Sequence, residues 1–271
     1  MALLSPVVLL FLLAEAVNAF SLTSLSTRPR PYTISEVLID QHQSVADQQQ
    51  HSTSIGERIK NGESILQIED LVSPDECKYI IEEVLKQDAV SPTSTLEKKP
   101  GLVRIPTRDA AERAAESNVP CANPLSADVD KVLHAILQRS VRVVTEQTPS
   151  ISEVLFAEES VYQLLNTELL KFSSREPAIN IYTPGGEFLA HKDAQALTVL
   201  IPLSCPEQDF HGGGTSFWSQ DSRGHRVEDP TVILKPPAGT AMLFGGCVTH
   251  AGVPVEEGIR VVFVASFSSS I

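Results

Sequence analysis

Two histidines and one aspartate form the strongest chemical pattern in the sequence. His191 and Asp193 are separated by one residue, and in an extended segment residues two apart point to the same face, so both can reach one ion. A lone His-x-Asp is a weak motif whose alternative is an ion pair or hydrogen bond in an exposed loop. His250, which follows an apolar run and the small residues Gly245 and Gly246, supplies a second imidazole. We therefore take His191, Asp193 and His250 as candidate metal ligands.

The composition of this ligand set favours iron(II) over zinc. Two imidazoles and one carboxylate make the facial triad of non-haem iron oxygenases, which leaves coordination positions open for a co-substrate and O₂. A zinc hydrolase could use the same ligands with a water molecule, but the sequence has no H-E-x-x-H motif and no evident general base. The three residues thus point to oxygen chemistry.

Arg260 and Tyr182 are the candidate residues for the co-substrate. Arg260 follows His250 by ten residues on an alternating apolar strand, where an inward cation is costly unless it is paired. A guanidinium binds a carboxylate through two parallel hydrogen bonds, so we expect it to hold the distal carboxylate of 2-oxoglutarate. The alternative is an outward arginine on a solvent face. Tyr182, nine residues before His191, either contacts the co-substrate through its hydroxyl or is a core tyrosine with a satisfied phenol.

The remaining candidates receive simpler interpretations. Lys192, between two ligands, should face away from the metal because side chains alternate along a strand. His211 and His225 lie in glycine-rich and charged stretches and are expected to be solvated loop residues. Cys247 is interpreted as a small buried residue in preference to a thiol beside the metal.

The elements that must position these residues differ between the two halves of the chain. Ser73-Pro74-Asp75-Glu76 predicts a helix start, with Ser as N-cap and Pro at the first position. Ser126 begins a second predicted helix, with Val132, Leu133, Ile136 and Leu137 on one face. From Pro177 onward, short apolar runs are separated by Gly and Pro at about 8–12-residue spacing, which is typical of a β-sandwich or barrel. We expect helices packed on an all-β core.

The N-terminus has the composition of targeting segments. Met1 to Ala19 is apolar and ends in small residues, as a cleaved signal peptide does, although it lacks an early Lys or Arg. The alternative is a membrane-proximal or buried helix. Residues 20–62 are expected to be linker, with a Ser/Thr-rich stretch like a transit peptide and a later Gln-rich stretch. The protein is expected to enter the secretory pathway, or a plastid through a bipartite signal, without a stable membrane span after cleavage.

Composition excludes some classes of function. A chain of 271 residues with 42% hydrophobic content can bury one sizeable core. Its net charge is −13 and no run of five basic residues occurs, so a nucleic-acid partner is disfavoured. Four scattered cysteines, with no C-x-x-C pair, leave both disulfides and free thiols open. They are Cys77, Cys121, Cys205 and Cys247.

Four stretches resemble the prolyl 4-hydroxylase branch of the 2-oxoglutarate/iron(II) oxygenase superfamily. They are residues 181–193, 210–217, 237–244 and 250–260, and the resemblance covers about residues 175–268. It implies a double-stranded β-helix (jelly-roll) core flanked by N-terminal helices, an α+β fold within residues 63–271. It also implies iron(II) at the His-Asp-His set, 2-oxoglutarate on Arg260 with help from Tyr182, O₂ as oxidant and L-ascorbate as reductant. No catalytic residue beyond the metal site is implied.

The substrate implied by this resemblance is a prolyl or lysyl side chain of a protein or peptide. Members of the branch usually carry Lys where this chain has Arg260, and usually end the domain with Trp where this chain has residues 264–267. Both departures look more like the procollagen lysyl hydroxylases. A small-molecule substrate and a non-catalytic binding module remain alternatives. A nucleic-acid demethylase, which shares the Asn180-x-Tyr182 pattern, is disfavoured by the absence of a basic face.

Overall fold

The structure, a computed structural model, describes residues 32–39, 53–90, 101–157, 159–220 and 225–270. Six helices lie in the first half of the described chain: α1 (Ile55–Asn61), α2 (Pro74–Val90), α3 (Arg108–Glu116), α4 (Ala127–Gln147), α5 (Pro149–Leu155) and α6 (Val161–Asn166). Three early strands are interspersed with them: β1 (Ile34–Leu38), β2 (Ser64–Ile68) and β3 (Leu102–Pro106).

Eleven strands follow in the described C-terminal part, and they form the β-rich region that the sequence predicts from Pro177 onward. They are β4 (Leu170–Phe172), β5 (Ala178–Tyr182), β6 (Phe188–His191), β7 (Leu197–Pro202), β8 (Phe210–Gly212), β9 (Thr215–Trp218), β10 (Val232–Leu234), β11 (Ala241–Gly245), β12 (Thr249–Gly252), β13 (Val255–Gly258) and β14 (Arg260–Ser269).

Two antiparallel sheets face each other. The major sheet has the order β1-β2-β11-β7-β14-β5-β3, with β4 also paired to β14, and the minor sheet has the order β10-β9-β12-β6. A short ladder joins β13 and β8. From β5 onward the chain passes repeatedly between the two four-strand cores, β11-β7-β14-β5 and β10-β9-β12-β6. Eight antiparallel strands in two facing sheets form a jelly roll, so the predicted double-stranded β-helix fold is confirmed.

The strand β14 has both of its faces buried. Val261, Phe263, Ala265 and Phe267 belong to the apolar cluster shared with the helices. Val262 belongs to the second cluster, which lies between the two sheets. Because side chains alternate along a strand, Arg260 lies on the same side as Val262 and is only 2% exposed. The alternative of an outward Arg260 is therefore wrong, since β14 has no solvent face at that position.

Both predicted helix starts are confirmed. Ser73 and Glu76 exchange hydrogen bonds: the Glu76 carboxylate accepts from the Ser73 backbone N–H at 2.8 Å, and the Ser73 hydroxyl accepts from the Glu76 N–H at 3.3 Å. This capping box satisfies two of the free donors of the first turn of α2. Arg139 of α4 donates to Glu76 at 2.8 Å and ties the two helices together. Ser126 caps α4, and the four apolar residues predicted to share one face of α4 are all buried.

The structure differs from the expected domain boundary at residue 63. Strand β1 pairs along its whole length with β2, from Ile34 opposite Ile68 to Leu38 opposite Ser64. Helix α1 begins at a capping box of Ser54 and Glu57. Both elements lie within the range 20–62 that was expected to be linker. The sequence pattern missed β1 because five residues with two polar positions give too little alternation to stand out from their polar surroundings.

The predicted signal peptide, residues 1–19, and the Gln-rich stretch lie outside the described residues. No described helix has the length and apolar content that a membrane crossing needs. All four cysteines are free thiols. Burial raises the pKa of Cys77 to about 12, so this thiol is an inert part of the core.

Candidate metal and co-substrate site

The three predicted metal ligands converge at one end of the minor sheet. His191 is the last residue of β6 and lies directly opposite His250 of β12 in the antiparallel register. Asp193 follows two residues later and places its carboxylate between the rings. One oxygen lies 3.5 Å from His191 Nε2 and the other lies 3.7 Å from His250 Nε2. One donor atom from each residue falls within 4.8 Å of the other two.

Backbone carbonyls fix the orientation of both imidazoles. Nδ1 of His191 lies 2.8 Å from the carbonyl oxygen of Leu189, and Nδ1 of His250 lies 3.1 Å from that of Val248. A carbonyl oxygen can only accept, so Nδ1 carries the proton in each neutral ring. The Nε2 lone pairs are left facing Asp193, which is the tautomer that a metal ligand needs.

Asp193 is held by a side chain and by a close backbone approach. The hydroxyl of Thr198, on β7, donates to its second carboxylate oxygen. The turn from Asp193 to Gln195 packs on Gly246, where a Cβ would meet the carbonyl oxygen of Gln195 at 1.8 Å. Gly246 therefore has to be glycine for the turn to pass. This explains why small residues precede His250.

The electrostatics of the three donors suit a divalent cation. Burial alone would raise the pKa of Asp193, but the two neighbouring imidazoles and Thr198 hold it below its ordinary value. Burial acts against the charged form of His191, yet Asp193 and the Leu189 carbonyl raise its pKa above the ordinary range. Burial dominates at His250 and lowers its pKa to about 4. His250 is therefore a neutral imidazole at neutral pH, with its lone pair available.

Aromatic rings enclose the imidazoles. The Phe188 ring lies 4.7 Å from the His191 ring, and the Phe244 ring lies 4.7 Å from the His250 ring. Phe217 lies behind His250 at 6.3 Å. His250 is 6% exposed as a result. The rings limit both water access and imidazole rotation, which keeps the donors in place.

Arg260 is a buried cation without a carboxylate partner among the described residues. Its Nη2 donates to the Thr215 hydroxyl at 2.9 Å, and its guanidinium lies 5.1 Å from the centre of the Tyr182 ring. Burial lowers its pKa, opposed only by Tyr182. A buried cation with no counter-ion is costly, and an anion that enters the cavity removes that cost. This is the environment expected for a residue that binds the carboxylate of a small acid.

Tyr182 lies opposite Arg260 in the β5–β14 register. It is buried, and its hydroxyl oxygen accepts from the Asn180 side-chain amide at 3.4 Å. The phenol is thus partly satisfied within the protein, and its O–H remains to be donated. Tyr182 is therefore a core tyrosine as one expectation has it, and its side chain also lines the cavity described next.

One cavity of about 200 Å³ unites the predicted residues. Its walls contain all three candidate ligands and the two co-substrate candidates. Twelve other residues complete the lining, among them Arg104, Glu176, Asn180, Phe188, Leu200, Thr215 and Val264. Typical pockets for drug-sized ligands measure ~300–1,000 Å³. The cavity is smaller than these pockets, so a ligand held in it must be smaller than drug-sized.

Lys192 and His225 are exposed as the sequence predicts, whereas His211 lies in strand β8 instead of a loop and Cys247 is only partly buried. Lys192 is exposed and is not among the residues that line the cavity. His211 is exposed and pairs with Glu207 at 2.9 Å, and His225 is exposed. The Cys247 thiol donates to the Lys60 carbonyl at 2.9 Å and does not line the cavity.

Sequence reasoning missed seven polar residues that line or support the site, namely Arg104, Ser173, Ser174, Arg175, Glu176, Thr198 and Thr215. A polar residue inside the apolar run of β7 was the available indication for Thr198. Thr215 follows three glycines, and Arg104 lies within a strand that the pattern did not reveal.

The donor set fits iron(II). Donors that bind one divalent ion at ~2.0–2.2 Å lie at most about 4.4 Å apart, and both pairs that include Asp193 satisfy this limit. Two imidazoles and one carboxylate would leave further coordination positions of a bound ion available to other ligands.

Comparisons with known proteins give matches to solved structures only. No family model matches the chain, and no curated protein sequence matches it. A prolyl-4-hydroxylase from Pseudomonas putida is similar at 16% identity, over 79% of this chain and 97% of the other, with a TM-score of 0.48. A viral collagen prolyl hydroxylase from Paramecium bursaria Chlorella virus-1, in complex with 2-oxoglutarate, is similar at 15% identity, over 78% and 98%, with a TM-score of 0.46.

A third similar structure is a prolyl hydroxylase from Trichoplax adhaerens, in complex with a peptide of hypoxia-inducible factor. It shares 13% identity over 79% of this chain and 87% of the other, with a TM-score of 0.46. All three TM-scores lie below 0.5, so the functional assignment rests on the geometry of the site.

Proposed function

We propose that this protein is an iron(II)- and 2-oxoglutarate-dependent dioxygenase that hydroxylates an unactivated carbon. One observation carries the proposal: two oriented imidazoles and a carboxylate line the same small cavity as a buried arginine with no carboxylate partner among the described residues. A metal site alone would need no such arginine. An anion site alone would need no such ligand set.

Each residue has a separate task in this proposal. His191, Asp193 and His250 would hold iron(II), which supplies the activation of O₂ coupled to oxidation of 2-oxoglutarate. Arg260 binds the far carboxylate of 2-oxoglutarate, and Thr215 orients the guanidinium. Tyr182 donates its hydroxyl toward the same co-substrate. The apolar walls, with Leu200 and Val264, shield the reacting centre from water.

The substrate in this proposal is a prolyl or lysyl side chain of a peptide or protein. The size of the cavity supports it, because the room left beside a diacid suits one side chain. L-ascorbate serves as the reductant that keeps the metal in its active state. We also propose that the N-terminal segment directs the protein into the secretory pathway or, through a bipartite signal, into a plastid.

The test is succinate production by the purified protein supplied with iron(II), ascorbate, O₂ and 2-oxoglutarate. Peptide libraries containing proline or lysine, together with the free amino acids, are then screened for a mass increase of one oxygen. Succinate release that a peptide pool stimulates supports the proposal. A protein that binds iron and 2-oxoglutarate but never releases succinate is a binding module, and the proposal is then wrong.

A further inference from the structure

The cavity has an inner end and an outer end, and each contains an arginine. Arg260 lies at the inner end and is 2% exposed. Arg104 lies at the outer end, on β3, the last strand of the described major sheet. It faces Phe188 on β6, the last strand of the described minor sheet. Ser174, which is exposed, and Arg175, which is partly exposed, line the same end. Arg104, Ser174 and Arg175 therefore mark the mouth of the cavity, where a ligand enters.

Arg104 has no task in the proposed binding of iron or 2-oxoglutarate. The strand registers place Arg104 opposite Asn180, and Tyr182 opposite Arg260. Arg104 is thus two strands and one two-residue step away from Arg260, which separates their Cα atoms by about 12 Å. In the proposed function Arg260 binds one carboxylate of 2-oxoglutarate, and the rest of that molecule faces the metal ligands. Arg104 is therefore left for the substrate.

The Arg104 side chain is held in place by a fully engaged carboxylate. Its Nη2 donates to Glu176 at 2.7 Å. The other oxygen of Glu176 accepts from both the backbone N–H and the hydroxyl of Ser266. The Arg104 guanidinium also lies 5.7 Å from the centre of the Phe188 ring, which in turn contacts His191. Glu176 is thus a positioning residue that holds Arg104 beside the metal site.

The guanidinium of Arg104 keeps donors that a ligand can reach. A guanidinium has five N–H donors, and one of them binds Glu176. The Nε atom is buried without a partner, but Nη1 is not cut off from the surface. The whole side chain is 16% exposed, and it lines the cavity. The free edge of the guanidinium is therefore available at the mouth of the cavity.

The charges that line the cavity favour one more anion. The described lining contains three guanidiniums, those of Arg104, Arg175 and Arg260, but only two carboxylates, those of Asp193 and Glu176. The charge of iron(II) and the charge of the 2-oxoglutarate dianion cancel. The loaded site would therefore keep a net positive charge, and a cleft lined by one sign of charge attracts ligands of the opposite sign.

A carboxylate on the substrate meets both observations. Its two oxygens match the donor edge of a guanidinium, and its charge balances the site. An ammonium group is the opposite case, because a buried ammonium needs a carboxylate partner. The two carboxylates of the described lining are already engaged, Asp193 with the imidazoles and Thr198 and Glu176 with Arg104 and Ser266.

We propose that Arg104 binds a carboxylate of the substrate and that the mouth of the cavity disfavours a positively charged side chain. The inference rests on the proposed function and narrows its substrate from prolyl or lysyl to a prolyl ring with a negative charge close by. That charge is either the α-carboxylate of a free amino acid or chain end, or an acidic side chain next to the proline. Arg104 sets substrate affinity, while iron and 2-oxoglutarate bind without it.

The experiment uses Mn(II) in place of iron, so that the full chain binds 2-oxoglutarate without turnover. N-acetyl-L-proline and N-acetyl-L-prolinamide test the α-carboxylate. N-acetyl dipeptide amides, with glutamate or glutamine before or after proline, test a neighbouring acid. The methylamides of N-acetyl-L-lysine and N-acetyl-L-norleucine test a positive charge. Broadening of probe NMR signals by Mn(II) gives each affinity, and electron paramagnetic resonance reports independently whether metal and 2-oxoglutarate have bound.

The wild-type protein should bind at least one carboxylate probe about tenfold more tightly than its uncharged partner, as expected for hydrogen bonds between charged groups. The lysine probe should bind more weakly than the norleucine probe. Arg104→Gln should reduce the carboxylate preference to about twofold or less and improve the lysine probe about threefold, because a like charge is removed. Arg104→Lys keeps the charge without the planar donor edge, so its preference should be intermediate. Arg142→Gln, at an exposed position, is the matched control and should change no affinity.

The outcomes separate the two proposals. If Mn(II) and 2-oxoglutarate do not bind, or bind Asp193→Ala as well as the wild type, the proposed function fails. If they bind but no carboxylate probe is preferred, or Arg104→Gln keeps the preference, the inference is overturned. It is also overturned if the lysine probe binds more tightly than norleucine, if no probe binds the loaded protein, or if Arg104→Gln weakens 2-oxoglutarate instead of the probes. The pair of probes that shows the preference identifies the source of the carboxylate.

Discussion

The two faces of strand β14 belong to two different environments. Toward the helices it presents Val261, Phe263, Ala265 and Phe267, which join a large apolar cluster with no charged member. Toward the minor sheet it presents Arg260, whose buried guanidinium contacts the Thr215 hydroxyl and the Tyr182 ring. Alternate residues of this one strand therefore differ in polarity: those facing the helices are apolar, and Arg260, facing the cavity, is charged.

The difference shows where stability and chemistry are located. The helix-facing side gains free energy from burial of apolar area. The cavity-facing side lowers the free energy of unfolding, because Arg260, Arg104 and Asn180 are buried there without all of their hydrogen-bond partners. Variants on the cavity side should change binding with little loss of stability, and variants on the helix side should do the reverse.

The largest effect on the cavity side should come from Asp193→Ala. It removes the only carboxylate of the three donors and the partner of Thr198, so the loss of iron affinity should exceed the ~10–100-fold typical of an outer contact. Succinate production should fall to background. Iron content after gel filtration and a succinate assay measure both. Asp229→Ala, at an exposed position, is the control, and an active, iron-loaded Asp193→Ala would contradict the metal assignment.

Phe263→Ala should give the largest effect on the helix side. The ring is fully buried, and truncation of a buried Phe costs about 3–5 kcal/mol of unfolding free energy. Urea denaturation measures this loss. The affinity of the folded fraction for 2-oxoglutarate should stay within about twofold of the wild type, since the ring lies on the opposite face from Arg260. A large loss of affinity in the folded protein would show that the two faces are coupled.

Arg260→Leu should separate binding from stability most clearly. Loss of hydrogen bonds to a charged group, each worth ~1.5–3 kcal/mol, should weaken 2-oxoglutarate by about 10- to 100-fold. The melting temperature without 2-oxoglutarate should stay equal or rise, because an unpaired buried cation is replaced by an apolar side chain. Calorimetric titration measures the affinity for 2-oxoglutarate, and thermal unfolding measures the melting temperature. A marked drop in melting temperature would mean that Arg260 stabilises the fold itself.

Thr198→Val should have a smaller effect confined to the metal. The change keeps the shape of the side chain but removes the hydroxyl that orients Asp193, so iron affinity should fall about tenfold. Competition against a chelator measures it. Thr145→Val, which removes a hydroxyl from the helix layer, is the matched control. Equal iron affinity in both variants would exclude an orienting role for Thr198.

The smallest effect should come from Glu76→Gln at the start of α2. Burial alone would raise the pKa of Glu76, but Arg139 and Ser73 hold it below the ordinary value. A lowered pKa adds stability above the ordinary value of the carboxyl group and loses it as the pH falls. The variant should be less stable by about 1 kcal/mol at neutral pH, and this difference should shrink as the pH falls below the ordinary pKa of a carboxyl group. Urea denaturation at several pH values measures the difference in unfolding free energy between the variant and the wild type. A difference that grows on acidification would contradict the prediction.

The sequence predicted the cluster of His191, Asp193 and His250 because its chemistry is rare and partly local. His191 and Asp193 are two residues apart, and the cost of an inward charge correctly predicted Arg260 as a buried cation. The same argument would have identified Arg104, but β3 spans only five residues after a charged stretch, so no alternation pointed to it. Its pairing with β5 depends on contacts 76 residues apart in the chain, between Arg104 and Asn180. Such contacts follow from the assembled sheet and are invisible to a local pattern.

The position of β6 at one end of the minor sheet has a mechanical consequence. His191 closes that terminal strand, whereas His250 lies on β12, which has neighbours on both sides. An ion bound to both would act as a cross-link that fastens the outermost strand and the following turn to the interior of the sheet. The free energy of metal binding would then add to the free energy of folding, and protease resistance around residues 186–196 would depend on metal occupancy.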